Sequence, residues 1–258
     1  MPMHPMPEDW LQPQWSVPDS VLALVSTRTG GGSKPPFEQF NLGLHVGDDP
    51  ATVLANRQRL SDSLPAHMHL QWLEQVHGTA VVEAQADAVT RRGDAVYVDK
   101  PGLAGIVMTA DCLPVFFASK TGKRVALAHA GWRGLADGVL EQTLARFPDA
   151  PADVLVFLGP AIGPCHFEVG AEVRQAFVES ATTDALAKDI QDQGFRPSAE
   201  SGKYLADLYL IATLKLRALG VEQISGGTLC TYCERERFFS YRRDGQTGRF
   251  VSLIGILH

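Results

Sequence analysis

Ala128-His129-Ala130-Gly131-Trp132-Arg133-Gly134 is the stretch of sequence from which both the fold and a site can be read. The apolar run at residues 124–128 indicates a buried strand before it, and residues 135–147 show the apolar spacing of a helix after it. His129 therefore lies where a buried strand ends and a glycine-bounded turn opens a helix. Because ligands of α/β proteins bind at this edge of a sheet, the stretch predicts an α/β fold with a site at the turn.

Uninterrupted apolar runs at residues 104–109, 113–118 and 153–158 indicate further strands that are covered on both faces. Helical spacing occurs at residues 50–64, after a predicted N-cap at Asp49, and again at residues 204–219. No linker, repeat or low-complexity tract divides the chain. We therefore predict one α/β domain over residues 19–258, preceded by a flexible N-terminal lead-in over residues 1–18.

Composition excludes several classes of function. The 258 residues carry a formal net charge of -6, and 45% of them are hydrophobic and 20% charged, which is an ordinary globular balance. The absence of a dense Lys/Arg block argues against nucleic-acid binding. No apolar run reaches the roughly 18–20 residues that span a bilayer, and the N-terminus lacks the apolar core of a secretory signal. We predict a cytoplasmic monomer or homodimer that acts on small molecules, without nucleic acid or membrane partners.

Two other turns are candidates to meet the first one. They are Gln75-Val76-His77-Gly78 and Thr109-Ala110-Asp111-Cys112-Leu113-Pro114. Together with His129 they supply His77 and Cys112, and imidazole and thiolate ligands suit zinc or copper. Three protein ligands with one open position are typical of a catalytic zinc site. The alternative is that both histidines are ordinary hydrogen-bonded side chains and that Cys112 is a small buried residue.

Four other residues have both a functional and a structural interpretation. Arg133, at a helix start, can bind an anion such as phosphate or can be a surface or capping arginine. Asp111 can orient a metal-bound histidine, move a proton, or simply occupy a turn. Glu168 can carry a proton or favour the start of the helix that follows it. Arg28 precedes three glycines in a loop that can contact a ligand or simply be flexible.

The remaining cysteines give no clear signal. With Cys112 there are four, too few for a disulfide scaffold. Cys230 and Cys233 have CxxC spacing, but the sequence offers no second pair for a structural zinc site and no βαβ context for a redox motif. The sequence therefore disfavours metal or redox function for this pair and leaves Cys165 unassigned. The Tyr241-Arg242-Arg243 run can contact phosphate or form a solvated turn.

Ordered motifs extend over nearly the whole chain. They include Asn41-Leu-Gly43, Gln75-Val-His-Gly78, Thr109-Ala-Asp-Cys-Leu-Pro114, His129-Ala-Gly-Trp-Arg-Gly134, Gly159-Pro-Ala-Ile-Gly-Pro164, Cys230-Thr231 and Phe239-Ser-Tyr-Arg-Arg-Asp-Gly245. With them the chain resembles the laccase-domain family, also called the multicopper polyphenol oxidase or purine nucleoside phosphorylase family. The resemblance implies a single domain layered α/β/β/α with mixed sheets. It also implies one metal ion, usually zinc and alternatively copper, on His77, Cys112 and His129, with Cys165 and Cys233 outside that set.

The activity implied by the resemblance is phosphorolysis of adenosine, inosine, guanosine and S-methyl-5′-thioadenosine, with phosphate as co-substrate and adenosine deaminase activity besides. On the residues and the resemblance together, the predicted catalytic residues are Cys112, Asp111 and Arg133, and the predicted substrate-binding residues are Arg28, Asn41, Glu168 and Arg243. Both reactions would use one pocket.

Three alternatives remain open. A relative's link to peptidoglycan editing suggests an amidase of cell-wall precursors with Cys112 as nucleophile and His129 or His77 as base. A copper-dependent polyphenol oxidase is the second, but it needs about a dozen ligands, mostly histidines. The chain has eight histidines and no His-x-His pair near the motifs, so the sequence argues against the oxidase. A non-catalytic metal-binding protein is the third.

Overall fold

Residues 7–258 form fifteen strands and seven helices in the computed structural model. The strands are β1 (Val21–Val25), β2 (His69–Gln71), β3 (Leu73–Glu74), β4 (Val81–Glu83), β5 (Arg91–Arg92), β6 (Ala95–Val98), β7 (Leu103–Thr109), β8 (Leu113–Ser119), β9 (Val125–Ala130), β10 (Val154–Leu158), β11 (Glu168–Gly170), β12 (Phe195–Pro197), β13 (Lys203–Ala206), β14 (Gln223–Gly226) and β15 (Phe250–Ile256). The helices are α1 (Pro50–Asp62), α2 (Trp132–Asp137), α3 (Val139–Leu144), α4 (Ala171–Glu179), α5 (Asp184–Gln193), α6 (Leu208–Ala218) and α7 (Tyr241–Asp244).

Two mixed sheets lie face to face. One has four strands in the order β1-β15-β7-β2, and the other has six in the order β14-β10-β8-β9-β6-β4. Successive residues of β8 explain the layers, because side chains alternate between the faces of a strand. Phe116 belongs to the core between the sheets, whereas Val115 and Phe117 belong to the core under the helices.

Helices cover the outer face of each sheet. Leu60 of α1 packs with Ile106 and Leu253 on the four-stranded sheet. On the six-stranded sheet, Leu140 of α3 and Leu216 of α6 belong to the same core cluster as β8. The predicted α/β/β/α layering in a single domain with mixed sheets is therefore confirmed.

The N-terminal segment differs from its prediction in part. Residues 1–6 of the predicted flexible lead-in lie outside the described residues. Residues 7–18 pack on the domain, since Leu11 pairs with Val25 and the Trp15 ring lies 6.0 Å from Phe157. Trp10 is buried against Phe40 as well. Large aromatic side chains, which bury much apolar area, hold this segment against the sheets.

Two helix predictions need correction. The helix predicted over residues 135–147 is broken at Gly138, which adopts φ 101°, a left-handed conformation that ends α2 and begins α3. The helix predicted over residues 204–219 begins only at Leu208, because Asp207 caps it by accepting the Leu210 N–H. The residues before Asp207 form β13 of a small sheet β11-β13-β12 that the sequence did not reveal. The predicted cap of α1 by Asp49 is confirmed.

Within residues 7–258, none of the helices has the length and apolar character required to cross a membrane.

Candidate metal centre

The structure brings the three predicted metal ligands together. Donor atoms of His77, Cys112 and His129 all lie within 4.8 Å of one another. The register of the six-stranded sheet explains part of this, because Leu113 of β8 pairs with Ala130 of β9 and so places Cys112 beside the turn after His129. His77 reaches the same point from the turn after β3, with its ring centroid 4.8 Å from that of His129.

The backbone of two turns is left-handed at this point. His77 has φ 59° and Asp111, next to Cys112, has φ 92°. Such values are uncommon for residues other than glycine and concentrate at functional sites, where the surrounding structure holds them. The turns that present the donors are therefore fixed by their surroundings rather than by local preference.

Burial decreases across the cluster. His129 is buried with 3% of its surface exposed, Cys112 is partly buried, and His77 is exposed. The donor set is thus open on the side of His77. A catalytic zinc ion typically has three protein ligands and one open position, and imidazole and thiolate are among its usual ligands, so the residues present fit such an ion.

Asp94 contacts two of the three donor residues, although it was not among the residues predicted for the site. Its carboxylate lies 2.9 Å from His129 Nδ1, which leaves Nε2 as the ring nitrogen for a ligand. The same carboxylate accepts the backbone N–H groups of His77 at 2.9 Å and Gly78 at 2.7 Å. A carboxylate on the second nitrogen of a ligating histidine is a usual feature of zinc sites. The only sequence signal was an acidic residue immediately before the buried strand β6.

The electrostatics favour a charged donor set. Burial alone would raise the pKa of the Cys112 thiol, but the charge of His129 and hydrogen bonds from both imidazoles lower it to about 6. Burial acts to lower the pKa of His129, yet the Cys112 thiolate and Asp94 raise it to about 9. Cys112 is therefore readily available as the thiolate that metals bind.

Gly131 provides the space that the cluster occupies. A Cβ atom at this position would lie 2.8 Å from His77 Nδ1 and 3.0 Å from Cys112 Sγ. Its φ of -61° and ψ of 157° are ordinary for any residue, so the requirement for glycine is steric rather than conformational. The glycine of the opening motif thus forms one wall of the metal centre.

Replacing Gly131 with alanine is expected to weaken zinc binding at least about 10-fold, because the new methyl group displaces two ligands. Zinc titration against a competing chelator measures this. Gly32→Ala is the matched control, since a Cβ there would meet its nearest neighbour, Thr52 Cγ2, at 3.6 Å. Equal zinc affinity in both variants would contradict the steric role of Gly131.

Asp111 joins the Cys112 turn to two loops. Its carboxylate accepts Thr231 Oγ1–H at 2.6 Å and the Arg242 N–H at 2.7 Å. Its backbone carbonyl accepts the Ile162 N–H at 2.9 Å. The carboxylate that contacts His129 is that of Asp94, and the contacts of Asp111 favour a role in positioning Cys112.

Two arginines are placed to attract an anion. Arg133 is exposed, its guanidinium lies 4.4 Å above the Trp132 ring, and it makes no hydrogen bond or ion pair within residues 7–258. Arg249, which lies outside the residues predicted for the site, is the second. Burial lowers the pKa of its guanidinium, and the charges of Cys112 and Asp111 oppose that effect. Its Nη1 donates to the carbonyls of Thr247 and Gly248 at 2.9 and 3.0 Å. Helix α2 itself has only six residues, so its N-terminal amides contribute less to anion binding than predicted.

The predicted substrate-binding residues occupy different places. Arg28 lines a groove of about 540 Å³ that contains none of the three donors. Asn41 is fully buried, and its amide bonds to Gly43, Asp48 and the Arg249 N–H. Glu168 accepts from Ser198 and pairs with Lys203 at 3.2 Å.

All hydrogen-bond donors of the Arg243 guanidinium are used by partners within the protein. Nη1 donates to the carbonyls of Thr231 and Tyr232, and Nη2 donates to Phe238 O and Asp244. Nε donates to Asp244 as well. Because a guanidinium has five donors, these contacts leave none for a ligand. Arg243 therefore holds the loop around Thr231, as Asn41 holds the loop beside Arg249.

Comparison with known proteins agrees with these motifs. A family model described as multi-copper polyphenol oxidoreductase laccase matches residues 22–257. The chain belongs to this family. Among its family members, a Pseudomonas aeruginosa protein named purine nucleoside phosphorylase is 50% identical over 245 residues, which cover 95% of this chain and 97% of that protein. Escherichia coli purine nucleoside phosphorylase YfiH is 50% identical over 248 residues, covering 95% and 98%.

Solved structures of the family have the same fold. A Neisseria meningitidis protein superposes with a TM-score of 0.89 at 44% identity, covering 96% of this chain and 99% of that one. YlmD from Geobacillus stearothermophilus superposes with a TM-score of 0.80 at 34% identity, covering 93% of each chain. The layered fold is therefore that of the family over nearly its full length.

Proposed function

We propose that this chain is a zinc-dependent purine nucleoside phosphorylase whose ion is held by His77, Cys112 and His129. The observation that carries the proposal is the three-donor set, open at His77 and supported by Asp94. When bound, such an ion supplies a Lewis acid with one open coordination position. The name of the two relatives at 50% identity supports the same assignment.

The residues of the chain would bind and orient the reactants. In phosphorolysis a phosphate oxygen forms a bond to ribose C1′ while the bond from C1′ to the purine nitrogen breaks. The products are ribose 1-phosphate and the purine base, which takes up a proton. Arg133 and Arg249 would attract the phosphate, since guanidinium groups bind phosphate oxygens through paired donors. Asp94 would keep His129 in the tautomer with a free Nε2, and Asp111 would hold the Cys112 turn.

We extend the proposal to adenosine, inosine, guanosine and S-methyl-5′-thioadenosine as substrates, and to adenosine deamination. The support is the ordered set of family motifs together with a donor cluster that is open at His77. Deamination replaces the amine at purine C6 with oxygen from water and releases ammonia, a reaction for which histidine and cysteine zinc sites are used elsewhere. One site would then serve both reactions.

Incubation with inosine tests the proposal. We expect equal amounts of hypoxanthine and ribose 1-phosphate, formed only when phosphate is present, lost after chelation and restored by zinc. Adenosine in phosphate-free buffer should yield inosine if the deaminase extension holds. If no phosphate-dependent ribose 1-phosphate forms in zinc-loaded protein, the phosphorylase proposal is wrong.

One observation favours a second function. Cys112, His129 and Asp94 also form a thiol, imidazole and carboxylate series, which can act as nucleophile, base and orienting group. Such a series would suit an amidase of peptidoglycan precursors, in which Cys112 Sγ attacks the carbonyl carbon and His129 passes the proton to the leaving amine. Water would then hydrolyse the resulting thioester, which releases the acid and restores the thiol. His77 has no role in that scheme, so His77→Ala should spare amide hydrolysis while removing a metal-dependent activity.

A copper polyphenol oxidase has less support. The family description names copper, and copper accepts the same donors as zinc. Within residues 7–258, however, the clustered metal donors include only three histidines, His77, His129 and His166. Several coppers need many more imidazoles than that. Metal analysis of protein grown without supplements distinguishes zinc from copper directly.

A further inference from the structure

A second cluster of metal-ligating side chains lies outside the site described above. Cys165 and His166 follow the Gly-Pro loop at residues 159–164, and Cys230 and Cys233 follow β14. The donor atoms of these four residues all lie within 4.8 Å of one another. The sequence-based premise that the CxxC pair has no second pair is therefore wrong. The partners are Cys165 and His166, which are remote in sequence and adjacent in the fold.

Four of the six donor separations lie near those of a tetrahedral ligand set. Cys165 Sγ lies 3.9 Å from Cys230 Sγ and 3.7 Å from Cys233 Sγ. His166 Nδ1 lies 3.1 Å from Cys165 Sγ and 3.4 Å from Cys233 Sγ. Zinc bonds of about 2.3 Å to sulfur and 2.0 Å to nitrogen at tetrahedral angles separate two sulfurs by about 3.8 Å, and sulfur from nitrogen by about 3.5 Å. A disulfide would require about 2.05 Å instead.

The surroundings orient the ligands. Backbone N–H groups of Gly163, Tyr232 and Cys233 point at Cys230 Sγ, with the Gly163 nitrogen at 3.2 Å. A Cβ on Gly163 would lie 3.2 Å from that sulfur, so glycine permits the approach. The Tyr232 ring stacks on the His166 ring at 3.9 Å and 15°. Amides directed at a thiolate and a fixed imidazole are the supporting contacts that metal ligands use.

We propose that Cys165, His166, Cys230 and Cys233 bind a second zinc ion in a closed structural site. Three thiols would each release a proton to solvent, and neutral His166 would bind through Nδ1. Four protein ligands leave no open position, so the ion would stabilise the fold rather than take part in a reaction. The site shares no residue with His77, Cys112 and His129, and it stands whether or not the phosphorylase proposal holds.

The second ion would also support the first site. Thr231, between the two cysteines of the CxxC pair, donates to the Asp111 carboxylate, and Ile162, on the other loop, donates to the Asp111 carbonyl. Asp111 precedes Cys112. Both loops that the proposed ion would join therefore contact the turn that carries a ligand of the catalytic ion.

Counting metal ions tests the proposal. The full chain, loaded with zinc under reducing conditions and desalted through a weak chelator, should hold two ions per chain by mass spectrometry of the metal. Cys112→Ala should hold one, Cys233→Ser should hold one, and the double variant should hold none. Cobalt added to Cys112→Ala should show the intense sulfur-to-cobalt absorption of three thiolates. In this measurement all four residues of the second cluster keep their native side chains.

Two results would overturn the proposal. One is a zinc-loaded Cys112→Ala protein that holds no ion and shows no three-thiolate cobalt spectrum. The other is a thiol count that reveals a disulfide among Cys165, Cys230 and Cys233 in protein purified under reducing conditions. Neither result bears on inosine phosphorolysis.

Discussion

Cys112→Ala should lose the ion of the first cluster and reduce kcat/KM for inosine phosphorolysis about 10³-fold or more. An ion that stabilises charge in a transition state contributes several kcal/mol, and about 4 kcal/mol corresponds to that loss. Cys112 is the only anionic donor of the three, so its removal leaves two neutral imidazoles that hold zinc weakly. Steady-state kinetics and metal counting on the same preparation measure both effects.

Companion variants make the result specific. His77→Ala and His129→Ala should show similar losses, and Cys112→Ala/His77→Ala should be no worse than either, because residues that act as a unit are not additive. His67→Ala is the control. Its ring is exposed, and its hydrogen bond within residues 7–258 is to the Leu257 carbonyl at 3.3 Å, remote from the first cluster, so metal content and rate should not change. Cys112→Ala that keeps both its ion and its rate of inosine phosphorolysis would contradict the ligand role of Cys112.

The three donors of the first cluster could be predicted because they lie at the ends of strands or in the turns next to them. His129 ends a buried strand, Cys112 lies between two apolar strands, and His77 lies in a tight turn, so local patterns placed all three at turns. The α/β/β/α layering could be predicted only from the resemblance, because apolar runs reveal covered strands but not which strands pair. Pairing of β1 with β15 joins the two ends of the described chain, a contact that no local pattern encodes.

Asp94 and the second cluster show where prediction from sequence ended. Asp94 reaches His129 because β6 pairs with β9, where Ala95 faces Ala128. Cys165 reaches Cys230 because a bridge joins Ala161 to Cys230. Both contacts depend on long-range pairing, so they cannot be inferred from the spacing of residues along the chain. Arg243 shows the converse: the basic run left contact with phosphate or a solvated turn open, and in the fold its guanidinium holds a loop instead.

Asp94→Asn should have the largest effect on the stability of the folded protein. The Asp94 carboxylate is fully buried and accepts from His129 Nδ1 and from the N–H groups of His77 and Gly78. Asparagine has nearly the same shape, but its NH2 group would face donors and leave them without an acceptor. Breaking a buried, hydrogen-bonded charge in this way costs about 3 kcal/mol of unfolding free energy. Loss of the carboxylate at a ligating histidine also weakens metal binding about 10- to 100-fold.

Urea unfolding of the metal-free protein separates the loss of stability from the loss of metal affinity, because a bound ion would itself add stability. Zinc competition then measures the loss of affinity. Asp153→Asn is the control, since that carboxylate is 57% exposed and pairs with Lys120 at the surface, where an ion pair contributes at most about 1 kcal/mol. If Asp94→Asn unfolds with the same free energy and binds zinc as tightly as Asp153→Asn, Asp94 does not hold the metal centre together. If only the zinc affinity falls, Asp94 orients His129 without stabilising the turn at His77.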